Sequence, residues 1–205
     1  MDLGLRREYV IGVTGHRLHR LGSNDAQLRN AVKKELGRLQ SLHEDKRLML
    51  MSPLAEGADR IVAKIAMETF GMGLIVPLPL PYELYQSDFE ASESVAEFRE
   101  LVGKAEFYFE LPMRFGSLEQ LASKNSGDPN PLRDQQYALV GAYIVERCDE
   151  LIAIYDGKGS GGEGGTGQII EWREQGSVPE EYHIEASFFT LPEQKPAIVI
   201  DPLNL

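Results

Sequence analysis

The chain has 205 residues, a length that suits one well-buried domain, and its 42% apolar fraction is ordinary for a globular protein. A formal charge of −11 argues against polymeric DNA or RNA, whose backbone is held by Lys and Arg, but leaves room for a small anion in a pocket. No apolar run approaches the ~20 residues of a membrane span, a single cysteine (Cys148) rules out an intrachain disulfide and a Cys-rich zinc site, and Met1 to Glu8 lacks the apolar core of a signal peptide, so the expectation is a cytoplasmic protein with no membrane partner.

Apolar runs alternate with amphipathic stretches, the pattern of a mostly parallel α/β sheet sandwiched by helices. The first strand is predicted at Tyr9 to Thr14. A helix follows over Asp25 to Leu42, with Leu28, Val32, Leu36 and Leu39 at helical spacing. Arg47 to Ser52 is the second strand and Gly57 to Phe70 the second helix. Gly73 to Leu78 is the third strand, closed by prolines at 77, 79 and 81 that forbid a continuing helix or ladder. Tyr82 to Lys104 reads as mainly helical and Glu106 to Leu111 as a short strand. Ser117 to Pro131 is irregular, the place for a lid or a surface insertion. Arg133 to Arg147 is a helix, a strand begins at Leu151, Gln168 to Gln175 is a helix, and Pro196 to Ile200 is the last strand. Pro179 to Pro192 carries no assignable pattern. The whole is read as one domain over 1–205, its core at about 9–200.

Two turns stand out. Leu151 to Tyr155 is an apolar run that stops at Asp156-Gly157, passes Gly161-Gly162-Glu163-Gly164-Gly165-Thr166-Gly167, and enters a helix. Near the start, Tyr9 to Thr14 runs into Gly15-His16-Arg17. Glycines let backbone N–H groups approach a ligand, and the first turn of a helix has unpaired donors, a geometry that phosphate commonly occupies. With Ser52 to Asp59 and Pro77 to Tyr85, these turns all fall at strand ends, where ligands bind in doubly wound sheets.

The chain resembles the SLOG superfamily, the Rossmann-like group that includes DprA, the Lonely Guy enzymes and ligand-sensing modules of bacterial defence systems. The matching pieces are Gly12 to Arg17, Leu54 to Arg60, Leu80-Pro81 through Tyr85, Asp88-Phe89, and Arg133-Asp134 with Tyr137 and Gly141. They continue with Cys148-Asp149 through Gly157 and end at Gly164-Gly165-Thr166. The resemblance implies a Rossmann-like fold holding a nucleotide or nucleotide-derived small molecule at the strand ends. No further cofactor is implied, and a homo-oligomer is compatible with it. Lonely Guy enzymes, which hydrolyse the N-glycosidic bond of a nucleoside monophosphate, carry a Glu three residues after the phosphate-turn Thr. Here that position is Ile169, and the nearest downstream carboxylate, Glu171, lies roughly 500° around a helix rather than ~300°. The spacing argues against hydrolysis by that route and leaves phosphate binding intact.

The candidate ligand-binding residues are Gly15, His16, Arg17, Glu56, Asp59, Arg133, Asp156, Gly164, Gly165 and Thr166. Thr166 and the Gly164 and Gly165 amides are read on phosphate, with the Arg17 fork in support. Glu56 and Asp156 are read near ribose, and Asp59 as a helix cap or a second ribose contact. Arg133 and Tyr137 share a helix face that could close over the ligand. Tyr82, Tyr85 and Phe89 are either core or a stacking surface for a base. Cys148 is read as packing, and the histidines show no metal-ligand spacing. An N-glycosidase and an oligomeric interaction module with a vestigial turn remain the alternatives.

Overall fold

The computed structural model describes residues 7–89, 91–122, 130–159, 162–185 and 195–205. Six strands, β1 (Glu8–Gly15), β2 (Arg47–Met51), β3 (Gly73–Leu78), β4 (Phe107–Glu110), β5 (Glu150–Ile154) and β6 (Ile198–Ile200), form one sheet in the order β4-β3-β2-β1-β5-β6. Every neighbouring pair is parallel. The helices among the described residues are α1 (Asp25–Leu42), α2 (Ala58–Phe70), α3 (Tyr82–Gln86), α4 (Ser92–Lys104), α5 (Leu118–Ala122), α6 (Pro131–Arg147) and α7 (Thr166–Gln175). This is the Rossmann-like α/β architecture that the alternation of elements predicts.

The chain lays β1 to β4 outward in one direction, then returns through α6 to place β5 and β6 on the other side of β1. The strand order therefore reverses between β1 and β5. Because successive strand residues face opposite sides, Tyr9, Ile11 and Val13 feed a core with α1, α2 and α4, while Val10 faces a second core built from α6 and α7. Gly12 also faces α6. A Cβ there would stand 2.6 Å from Ile144 Cγ2 and 2.8 Å from Cys148 Sγ, so the helix lies close on the strand because Gly12 has no side chain. Cys148 is buried, and burial pushes its thiol up to about 11, against the charge of Arg173.

Three local departures have physical reasons. Tyr82 to Lys104 breaks into α3 and α4, with Phe89 turned into an aromatic cluster with Tyr85 and Phe98. The irregular 117–131 stretch contains α5, and α6 starts at Pro131, ahead of the predicted Arg133, because Pro is tolerated in a first turn and the Asn130 side chain caps the Arg133 N–H. Within the 117–131 stretch read as a lid or a surface insertion, residues 123–129 lie outside the described residues, as do 186–192 of the unassigned 179–192 segment, whose described part holds the short turn Glu180–Tyr182.

Candidate functional site

The site forms where the strand order reverses. A crevice of about 320 Å³ opens beyond the carboxyl ends of β1 and β5. One wall is Val13 to Arg17 with His19 and Arg20, the opposite wall is Glu163 to Thr166, Asp59 stands at the start of α2, and Tyr85, Tyr137, Val140, Ile144 and Ile169 supply the apolar floor. A crevice outside the carboxyl ends of strands, at the reversal of order, is the usual ligand position of open α/β sheets.

Glycines set the approach of these walls. Gly57, the cap of α2, has φ +102, and a Cβ there would stand 2.5 Å from the His16 carbonyl oxygen and 2.8 Å from the Leu18 nitrogen. The Ala58 N–H donates to that same His16 carbonyl at 3.1 Å, so the β1–α1 loop rests directly on the first turn of α2. Gly164, at φ +73, sits against the α6 backbone, where a Cβ would be 2.8 Å from the Ala138 nitrogen. Leu54 holds a left-handed φ of +59, fixed by its N–H to Ser52 Oγ (3.1 Å) and its carbonyl to Arg60 Nε (2.9 Å), and this strained residue aims the loop that carries Glu56 and Asp59.

Of the candidates read from sequence, Gly15, His16, Arg17, Asp59, Gly164, Gly165 and Thr166 line this crevice. Glu56 and Arg133 line an adjoining, more open cleft with Arg17, Leu18, His19, Asp88 and Tyr137. Asp156 lines neither; it holds the wall from behind. His16 Nε2 lies 2.9 Å from its Oδ1, Arg20 Nη2 donates to both its oxygens at 2.8 and 3.0 Å, and the Lys158 N–H donates at 3.0 Å. With its oxygens taken by the protein, Asp156 orients His16 and Arg20 and is not free for the ribose role. Arg133 is also engaged: its guanidinium donates to Asp88 and to the carbonyl of Leu121, and Tyr137 donates to the same Asp88. Glu56 accepts from the Ser94 hydroxyl.

The phosphate turn is rearranged in detail. The Gly164 N–H donates to Gln168 Oε1 (2.7 Å) and the Gly165 N–H to the Gly162 carbonyl (3.1 Å), so neither is the free donor that the glycine pattern suggests. The open donors are one step further on. The first backbone bond of α7 runs from the Ile169 N–H to Gly165, and the preceding amides of Thr166, Gly167 and Gln168 have no acceptor within the helix. Thr166, 9% exposed, makes no hydrogen bond through its hydroxyl among the described residues. Arg17 is exposed at the mouth, and its guanidinium makes no ion pair or hydrogen bond among them either.

Asp59 is 4% exposed, and its Oδ2 accepts only the Ala55 N–H, at 3.3 Å. Burial pushes its carboxyl up to about 7, against the charge of Arg17, the Ala55 N–H and Arg60. Burial likewise pushes the Tyr85 and Tyr137 hydroxyls up, so both phenols stay neutral on the floor. Tyr85 and Phe89 are core residues, and Tyr85 shows an edge to the crevice as well. Sequence reasoning missed Glu163 as a crevice residue, though it lies inside the glycine turn; it accepts a hydrogen bond from the Tyr182 hydroxyl. Glu171 is exposed and bonded by Gln175 at 3.0 Å, so it faces away from the turn, as its spacing required. Among the described residues, no group of three or more His, Cys, Asp or Glu is placed to hold a metal ion, and no helix is long and apolar enough to cross a membrane.

Fold and crevice together define a Rossmann-like α/β protein with a cavity of small-molecule size at the switch point of its sheet. A scan against protein-family models finds no match to the chain, and a search of curated proteins finds none.

Proposed function

We propose that the crevice binds a nucleotide or nucleotide-derived small molecule, its anionic group received by Thr166, the first amides of α7 and Arg17, its sugar and base lying over the tyrosine and aliphatic floor. The observation that supports this best is Arg17. In a chain of net charge −11, an arginine whose guanidinium makes no hydrogen bond or ion pair among the described residues lines a switch-point crevice together with a buried threonine whose hydroxyl is unbonded among them. Guanidinium forks and helix N-termini both select phosphate oxygens. The 320 Å³ volume falls at the lower end of small-ligand cavities, which run from about 300 to 1,000 Å³.

Thermal stability against AMP, ATP, cyclic nucleotides, ADP-ribose, cyclic ADP-ribose and NAD tests the reading. A ligand at 100 times its Kd adds about 2.7 kcal/mol, which a melting curve resolves. Thr166→Val and Arg17→Ala should each weaken the responding nucleotide by roughly 10- to 100-fold, in line with the 1.5–3 kcal/mol of a charged hydrogen bond. A flat panel overturns the reading and favours an interaction module. A second reading, hydrolysis of an N-glycosidic bond, draws on two carboxyl groups in the crevice, Asp59 and Glu163, neither at the helical position the Lonely Guy pattern uses. Free base released from AMP would establish it, and intact AMP after prolonged incubation would exclude it for that substrate.

A further inference from the structure

Asp59 is the buried group of the crevice that the fold leaves least satisfied. Oδ2 takes a single long hydrogen bond from the Ala55 N–H, while Oδ1 has no protein partner among the described residues and no ion pair reaches either oxygen. The charged and titratable groups facing it come from every packed element. Arg17 faces it from the β1–α1 loop and Tyr85 from α3; Tyr137 of α6, bonded to Asp88, and Glu163 line the same crevice. On its own helix, Arg60 is turned away to Leu54, Ser94 and Glu97. His16, His19 and Arg20 stand on the crevice wall, with His16 and Arg20 bonded to Asp156. Arg17 is thus the cation that chiefly holds Asp59 ionised, and it is also the cation open to a ligand's anion.

Resting on the nucleotide reading, we propose that Asp59 determines specificity as a neutral acid: when the ligand's anionic group engages Arg17, Asp59 takes up a proton and donates its O–H to an uncharged acceptor of the same ligand, a ring nitrogen, carbonyl or sugar oxygen. Two effects drive the protonation. The anion cancels the Arg17 field that favours the carboxylate, and the ligand covers what is left of the carboxyl's exposure, 4% for the residue. Burial has already brought the group to about 7, so the proton is gained at little cost near neutrality. The favoured ligands carry an anion and a neutral acceptor side by side; a ligand that offers Asp59 only a donor forgoes this contact.

Calorimetric titration at pH 8 in Hepes and in Tris, which differ in ionisation heat, reads the proton directly. The probe is whichever nucleotide of the panel raises the melting temperature. Cyclic AMP, NAD and ADP-ribose are preferred because their phosphates do not titrate between pH 6 and 8. Uptake approaching one proton per probe at pH 8, and binding roughly tenfold tighter at pH 6 than at pH 8, is the expected result. Asp59→Asn, a permanently neutral analogue, should show no Asp59-linked uptake and equal affinity at both pH values; comparison with the wild type cancels any titration of AMP or ATP phosphate. Because wild-type uptake alone tests the idea, failure of the variant to fold does not rescue it. A probe that binds without proton uptake, or a variant that keeps the wild-type pH dependence, overturns the role of Asp59 and leaves the nucleotide reading standing. No binding by any probe in either buffer overturns the nucleotide reading instead.

Discussion

His16 and Asp156 meet across the reversal of strand order, Nε2 of one 2.9 Å from Oδ1 of the other, and so tie the end of β1 to the end of β5. Asp156 also binds Arg20 and the Lys158 N–H, so one carboxylate fixes two of the basic side chains of that wall, His16 and Arg20. Burial raises the Asp156 carboxyl, but the hydrogen bonds from His16, Lys158 N–H and Arg20 outweigh it and hold the group well below the ordinary range.

The sign of the resulting pH dependence follows. A carboxyl lowered on folding adds stability above its unfolded value, about 3.9, and loses it as the pH falls toward the folded value. Urea titrations at pH 5, 4 and 3 should show the gap between wild type and Asp156→Asn narrowing with each step. An unchanged gap would mean that the carboxylate charge contributes nothing. The same variant releases His16 and Arg20, so affinity for the proposed nucleotide should fall at pH 7 although Asp156 lines no part of the crevice.

Gly57 offers a sharper test of how the crevice is assembled. Its φ of +102 with ψ −126 lies where side chains are rarely held, and a Cβ would press on the His16 carbonyl and the Leu18 nitrogen, both backbone. Gly57→Ala should cost about 2–4 kcal/mol, combining backbone strain with overpacking that rigid neighbours cannot relieve. Gly157→Ala is the control: its φ is +73 but nothing lies within 4 Å, so about 1 kcal/mol is expected. Equal costs at the two sites, measured by denaturant unfolding, would show that close approach does not matter.

The strands and long helices were legible because their signals are local. The spacing of Leu28, Val32, Leu36 and Leu39 places α1 at the observed Asp25–Leu42, and all four are buried. β3 likewise falls at Gly73–Leu78, bounded by glycine and the proline run. The crevice was legible in outline, since seven candidates line it. What sequence did not carry is which polar groups the fold itself consumes. Asp156 and Arg133 carry the residue types of ligand contacts, yet partners 140 and 45 positions away occupy them. Glu56 and Asp59, three apart at one turn, exchange the weight given to them because the first turn of α2 brings Asp59 to the crevice while Glu56, ahead of the Gly57 cap, is bonded by Ser94. Such differences are tertiary and leave no periodic trace.

Gly141 couples α6 to the crevice floor. A Cβ there would overlap the Ile169 δ-methyl and stand 2.9 Å from its Cγ1, and Ile169 lines the crevice. Gly141→Ala gains about 1 kcal/mol of helix propensity but forces Ile169 to move, for a net loss of about 1–2 kcal/mol. Ile169→Val removes the clashing methyl at a cost of about 1 kcal/mol. The double variant should be more stable than the sum of the two, with a coupling of about 1 kcal/mol. Strict additivity would show that the helices do not meet at this pair.

Arg173 is the strongest case of an arginine committed to the fold. It is 1% exposed, and its fork donates to the carbonyls of Lys195 (2.6 Å), Val145 (2.9 Å), Cys148 (3.0 Å) and Asp149 (2.8 Å), closing the end of α6. Arg173→Met fills the space but strands four acceptors, each costing on the order of 1–3 kcal/mol if no water reaches it. A net loss of about 4 kcal/mol is expected, which lowers Tm by roughly 8–16 °C in a domain of this size. Lysine should recover little, because a single ammonium lacks the planar fork that spans these carbonyls. A wild-type Tm for Arg173→Lys would show that charge near the end of α6, rather than the spread of donors, is what the fold requires.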